Sequence, residues 1–235
     1  MDATLLGKGI YSLQAAARLI RADLRAVRRW MLGYTRRRNG LPHFYPPLWC
    51  TQFAREELRE PVIGFRDLLE LRMVNAFARY GVSLHVIRAT IDGARQIFGT
   101  DYPLTTHRFR TDGRRVFMEA LDRAANEPAE DEDRLLDVPL RQWVFSQIVR
   151  PALYAGIEFE GQHPRRWFLD KQRPIVLDPA LQFGSPTVEE IGIPTDTLLA
   201  AYVAEGNDRN AVARIYGITP QQVMAAVRFE EKLAA

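Results

Sequence analysis

Leu13, Ala16, Ala17 and Ile20 are spaced three and four apart, so they share one face of a helix that Ser12 is placed to cap. A turn follows at residues 21–23. Asp23 then caps a second helix with Leu24, Val27, Trp30 and Met31 as its apolar stripe, and Gly33 ends it. The next stretch, YTRRRNGLPHFY, is strand-like on both sides of Asn39-Gly40, a strong two-residue hairpin signal. Pro42, Pro46 and Pro47 confine the second arm to an edge strand. Two short helices and a basic hairpin make the layout of a winged helix.

The helical period returns at Leu68, Leu69, Leu71, Met73, Val74 and Phe77, and Gly81 closes that element. Ser83 opens another helix, with Val86, Ile87, Ile91, Ala94, Ile97 and Phe98, ended by Gly99. THRFRTDGRRVFME predicts a second hairpin around Asp112-Gly113. The acidic, turn-rich NEPAEDED is the best candidate for a linker or exposed loop. Helix is expected from Leu140 to Tyr154, bent or ended by Pro151. GIEFEG, RRWFLD and PIVLD are strand-like. Three helices follow: Thr195–Glu205, Arg209–Tyr216 and Thr219–Lys232, separated at Gly206 and Gly217. The last two, around NAVARIYGITPQQV, form a second helix-turn-helix pattern. The predicted class is mainly α with small β-hairpins: an N-terminal winged helix-turn-helix and a small C-terminal α/β domain ending in a three-helix unit. The expected divisions are 1–104, a connecting region 105–170 holding the hairpin, acidic loop and helix, and 171–235.

Composition adds class and charge. With 47% hydrophobic and 26% charged residues the chain is of globular type. No run approaches a membrane span, and the start lacks a signal-peptide pattern. Cys50 has no partner for an internal disulfide. These features point to the cytoplasm. The net charge of +3 divides unevenly: residues 1–120 hold 20 Lys plus Arg against 11 Asp plus Glu, and residues 121–235 hold 12 against 18. The halves therefore suit different partners. Nearly all of the front charge is arginine, whose planar donor fork suits phosphates and guanine edges.

That charge separates the two turn motifs. Arg21, Arg25, Arg28, Arg29, Arg36, Arg37 and Arg38 fall within 18 residues, against one acid, Asp23. Arg25, Arg28 and Arg29 are three and four apart, opposite the apolar stripe, as a recognition helix requires. The last helix instead mixes Arg228 and Lys232 with Glu230 and Glu231. Its Val223, Ala225, Ala226, Val227 and Phe229 suit packing. Gln221 and Gln222 are the groups there that could read adenine.

Other constellations carry less. His43, His85, His107 and His163 are scattered, so no metal-ligand spacing arises and no cofactor is implied. There is no phosphate loop or nucleophile elbow, and no catalytic residues are assigned. Glu130–Asp133 is one acidic run rather than carboxylates on separate rigid elements. Arg165, Arg166, Trp167, Phe168 and Arg173 set cations beside aromatic groups, a combination common at protein interfaces.

YSLQAAARLIRADLRAVRRW resembles the opening of MerR-like regulators, with its aromatic, hydroxyl cap, paired alanines, turn and arginine-bearing helix. FRDLLELRMVNAFARYGVSLHVIRATI resembles that family's continuation, so the likeness covers about residues 10–98. The chain departs at the turn, with Arg21-Ala22 where the family favours Gly-Val. The resemblance implies that Ser12 contacts a phosphate, that Arg25 and Arg28 face the groove, and that Arg36, Arg37 and Arg38 form the wing. Residues 174–232, with GIPTDTLLAAYVAEG and VARIYGITPQQVMAAVRFE, are similar to a small family of domains of unknown function, number four-three-three. The combination resembles larger VapB-type antitoxins of toxin–antitoxin pairs. It implies a non-enzymatic homodimer that neutralises a PIN-type ribonuclease toxin and represses its own operon by binding operator DNA. The alternative is a MerR-like transcription regulator whose C-terminal half senses a small ligand, with no toxin partner.

Overall fold

The computed structural model describes residues 6–38, 40–54, 56, 58–126, 154–169 and 174–234. Among them the fold is mixed α/β, with eight helices and three small sheets. The chain forms two compact units. One holds residues 12–155 and 161–163; the other holds residues 1–11, 156–160 and 164–235.

A two-residue strand β1 (Tyr11–Ser12) leads into α1 (Leu13–Ile20), the first helix of the first unit. The Ser12 hydroxyl accepts the Ala15 N–H at 3.1 Å and caps the helix. Arg21 ends α1 in the left-handed region (φ 53°, ψ 50°), and its N–H returns to the last turn. Asp23 caps α2 (Leu24–Leu32), accepting the Ala26 N–H at 3.0 Å. Leu13, Ala16, Ala17 and Ile20 are buried, as are Val27, Trp30 and Met31. The predicted hairpin is present. β2 (Tyr34–Arg38) pairs antiparallel with β3 (Leu41–Tyr45), from Tyr34 opposite Tyr45 to Arg38 opposite Leu41.

A short strand β4 (Val62–Ile63) precedes α3 (Phe65–Arg79), α4 (Leu84–Phe98) and α5 (His107–Asn126). The second hairpin does not form: residues 107–126 are one helix, with Asp112-Gly113 inside it. The apolar spacing decides this. Phe109, Val116, Phe117, Ala120 and Leu121 recur at three- and four-residue intervals and are all buried. Phe117 stacks on Phe77 of α3 at 5.3 Å, and Phe98 of α4 meets Phe109 edge-on at 6.4 Å. A Cβ at Gly113 would stand within 3 Å of the Phe109 ring, so this glycine makes room for an aromatic rather than for a turn. The acidic run Glu130–Asp133 and the helix expected from Leu140 lie outside the described residues.

In the second unit, β5 (Ile157–Glu160), β6 (His163–Phe168), β7 (Ile175–Leu177) and β8 (Pro186–Val188) form one sheet in that order. Trp167 pairs with Leu177, and Ile175 with Val188. Three helices follow: α6 (Thr195–Ala204), α7 (Arg209–Tyr216) and α8 (Pro220–Ala234). Ile175, Val188, Leu198, Val212, Ile218, Val223, Ala226 and Val227 form the core between sheet and helices.

Candidate nucleic-acid interface

Arg25, Arg28 and Arg29 are exposed on α2, opposite its buried stripe, and Arg18, Arg21, Arg36 and Arg37 are exposed beside them in sequence. The backbone of Arg38 extends the ribbon opposite Leu41. The Ser12 hydroxyl is engaged as the cap acceptor, and a hydroxyl that accepts one bond still has a proton to donate. The candidate groups expected in this region therefore lie together on a short helix pair and its ribbon.

The three helical arginines are not equivalent. The Arg29 guanidinium lies 4.4 Å over the Tyr34 ring, Tyr34 stacks on Tyr45 at 4.9 Å, and His43 meets Tyr45 edge-on at 4.7 Å. Arg29 thus ties α2 to the ribbon, a contact of about 0.5–1 kcal/mol at an exposed site. Arg36 pairs with His43, two positions along from Tyr34 and Tyr45, and so shares their face. The handover from α2 to β2 is tight. Gly33 has φ +74°, and a Cβ there would strike the Tyr45 carbonyl and the Phe44 ring.

Buried polar groups add to the apolar stripe in holding this helix pair. The Asp67 carboxylate accepts from Trp49 Nε1 at 2.8 Å, Gln52 N at 3.0 Å and Gly64 N at 2.8 Å. It pins the loop after the ribbon to the start of α3. Burial still pushes its pKa up, against the pull of those donors. Leu48 N donates to the Trp30 carbonyl at 2.8 Å, joining that loop to α2. Asn75 Nδ2 donates to the last carbonyl of α1 at 3.0 Å, and Arg88 donates to the Pro46 and Pro47 carbonyls at 2.7 and 2.9 Å. One turn along α3, Glu70 accepts from Leu104 N, Thr105 N and the Thr105 hydroxyl, and so holds the residues leading into α5. It is fully buried, and desolvation raises its pKa to about 8.

Sequence reasoning passed over Asp67, Glu70, Asn75 and Arg88. A signal existed for the two acids. They are three apart within FRDLLELRMV, a run apolar on nearly every face, which leaves acids no solvated side. The donors they meet, at residues 49–64 and 104–105, come from distant stretches that periodicity does not pair.

The second set of expected residues divides. Trp167 and Phe168 are buried, at 7% and 3% exposure. Arg166 bonds Glu158 at 2.7 Å, approaches Glu189 at 3.7 Å, and lies 4.9 Å over Phe168. Arg165 is exposed. Arg173 lies outside the described residues.

Residues 175–229 match the family described as "Protein of unknown function (DUF433)". A curated relative from Mycobacterium tuberculosis, named "Putative antitoxin VapB45", is 28% identical over 223 residues, covering 93% of this chain and 92% of the relative. A crystal structure of Rv2018 from Mycobacterium tuberculosis superposes with a TM-score of 0.62 at 21% identity, covering 97% of this chain and 99% of that one. The chain shares the fold of that structure. No described helix is long and apolar enough to cross a membrane.

Proposed function

We propose that this protein is a DNA-binding antitoxin. Its MerR-like winged helix grips the operator of its own operon, and its C-terminal unit dimerises and holds a PIN-type ribonuclease toxin. The observation that carries the DNA half is the exposed row Arg25, Arg28 and Arg29 beside the arginine ribbon. Phosphate neutralisation supplies most nonspecific affinity for DNA, and a dimer would present two such helices to a two-fold site. The partner half is supported by the likeness, over nearly the whole chain, to the protein named as an antitoxin. Arg165 is the exposed cation of the partner region proposed from sequence.

The test of the DNA half is a titration against the DNA upstream of the gene at several salt concentrations. If about six to eight phosphates are neutralised, log affinity falls against log salt with a slope of roughly −5 to −7. A flat response sinks the DNA half. The partner half is tested by co-expression with the tagged product of the adjacent reading frame, with size-exclusion and light scattering on the eluate. A complex that also relieves that product's growth inhibition supports it. A lone neighbour that inhibits nothing favours the ligand-sensing regulator instead.

A further inference from the structure

From Leu24 to Ala54 the chain carries six arginines and no lysine, aspartate or glutamate. His43 is the single histidine of that stretch. An imidazole can change its charge near neutral pH, titrating ordinarily at about 6.5. The stretch therefore holds one group able to join six permanent cations.

The register of the ribbon places that group. His43 lies directly opposite Arg36, and Tyr45 opposite Tyr34. Side chains alternate across a ribbon, so Tyr34, Arg36, His43 and Tyr45 share one face, and Thr35, Arg37, Pro42 and Phe44 take the other. A row of contacts runs along the first face from the helix. Arg29 of α2 lies 4.4 Å over Tyr34, Tyr34 stacks on Tyr45 at 4.9 Å, and Tyr45 meets the His43 ring at 4.7 Å with the planes 76° apart. His43 ends that row, exposed, across from the exposed Arg36. Three elements bring charged groups to this strand. They are Arg36 from β2, Arg29 from α2 through Tyr34, and Arg88 from α4, which bonds the Pro46 and Pro47 carbonyls where β3 ends. All three are cations.

We infer that His43 is a further DNA-contacting residue whose protonation is linked to binding, so that operator affinity rises as pH falls. The ring shares its face with Arg29 and Arg36, so a phosphate held by Arg36 stands next to the imidazole. A neighbouring phosphate favours the charged form of an imidazole. The bound chain therefore carries more protons than the free chain between about pH 5.5 and 8. The gain in affinity is full below the titration of the free ring and is lost as pH rises through that of the bound ring. Each proton taken up adds one cation to the contact and releases about one more counterion from the DNA. This inference rests on the DNA half of the proposed function, which it deepens, and is independent of the partner half.

The experiment titrates the full chain against the DNA upstream of the gene, in steps from about pH 5.5 to 8 at fixed ionic strength. It compares wild type with His43→Gln, which stays neutral, and with His43→Lys, which stays charged. Other titrating groups act alike in all three proteins, and loss of the edge contact with Tyr45 shifts a variant equally at every pH. The difference between profiles therefore isolates the imidazole. From pH 8 to 5.5 the wild type is expected to gain about three- to tenfold more affinity than His43→Gln. His43→Lys is expected to show the same flat difference profile as His43→Gln while binding more tightly than it at pH 8. The wild-type salt slope should steepen by up to about one per chain at the lower pH, and the slope of His43→Gln should not. Parallel pH profiles for wild type and His43→Gln, or no tighter binding by His43→Lys at pH 8, overturn the inference while the DNA reading stands. A wild type that binds this DNA at no pH overturns the DNA reading, and the inference falls with it.

Discussion

Two helix pairs in this chain turn in nearly the same way and expose different chemistry. In α1–α2 the turn begins at Arg21 with φ 53° and ψ 50°; in α7–α8 it begins at Gly217 with φ 66° and ψ 33°. Both second helices bury an apolar stripe: Val27, Trp30 and Met31 in one, Val223, Ala226 and Val227 in the other. The exposed faces differ. α2 shows Arg25, Arg28 and Arg29, whereas α8 shows Gln221, Arg228, Glu231 and Lys232. At the head of α8, Gln222 accepts the Thr219 N–H and hydroxyl, so one of the two glutamines that could read a base is turned to capping. The shape of a helix pair thus says little about DNA, and the charge on its open face says more.

The strongest way to break that comparison is to remove arginines from each pair. Arg25→Ala/Arg28→Ala is expected to lower affinity for the upstream DNA by about a hundredfold or more at physiological salt and to flatten the salt slope by about two. Arg29 is left alone because it also supports the ribbon. The matched variant Arg214→Ala/Arg228→Ala in the tail is expected to bind within about twofold of wild type. Equal losses in the two double variants would mean that both pairs touch DNA.

A second comparison concerns what holds each pair. In the N-terminal pair buried polar groups add to the apolar stripe, whereas the tail pair packs on the apolar cluster around Leu198 and Val223. Asp67→Ala leaves Trp49 Nε1, Gln52 N and Gly64 N without their carboxylate, and each unmet buried donor costs about 1–3 kcal/mol. We expect a loss of about 3–5 kcal/mol, read as a lower urea midpoint, together with loss of DNA affinity. Val223→Ala in the tail should cost about 1–3 kcal/mol through the cavity it leaves and should spare DNA binding. If Asp67→Ala leaves the urea midpoint unchanged, the polar scaffold adds nothing to the hold on α2.

Most elements were legible because their periodicity was local. Ser12, Asp23 and Ser83 cap the helices they were expected to cap, and residues 34–45 form the expected hairpin. Asp112-Gly113 misled because a turn dipeptide is a local preference, and five buried side chains on one face outweigh it. Trp167 and Phe168 misled in another way. Aromatic groups beside arginines mark an interface only when exposed, and these two, on opposite faces of the sheet as successive strand residues, are both buried. The buried acids of α3 were illegible because their partners come from other elements.

Glu70 supplies a pH test confined to the first unit. Its folded pKa is raised to about 8 by burial, from the ordinary value of 4.5. Between those values the native state keeps a proton that the unfolded chain has released. Its contribution is therefore full below about pH 4.5 and is lost as pH rises through 8, at up to about 1.4 kcal/mol per unit. Glu70→Gln cannot titrate, and its amide nitrogen cannot accept from Leu104. That variant should be less stable than wild type at pH 5 and should show a flatter urea midpoint from pH 5 to 8. Parallel curves for the two proteins would reject the assignment.

The smallest expected effect returns to the two turns. Arg21 holds a left-handed conformation that costs a side chain about 1 kcal/mol, while glycine adopts it freely. Gly217 has that freedom, and nothing stands within 4 Å of an added Cβ, so conformation is what an alanine there would change. Gly217→Ala should therefore destabilise by about 1 kcal/mol, and Arg21→Gly should stabilise by a few tenths to 1 kcal/mol once the greater freedom of the unfolded chain is offset. Arg21→Gly also removes one exposed cation beside α2, so its salt slope should shrink by at most about one. A variant that is more stable yet weaker on DNA would show that Arg21 is kept at its turn for charge, against the preference of the backbone. If Arg21→Gly gains stability and loses no affinity, Arg21 lies outside the DNA contact and the footprint shrinks to α2 and the ribbon.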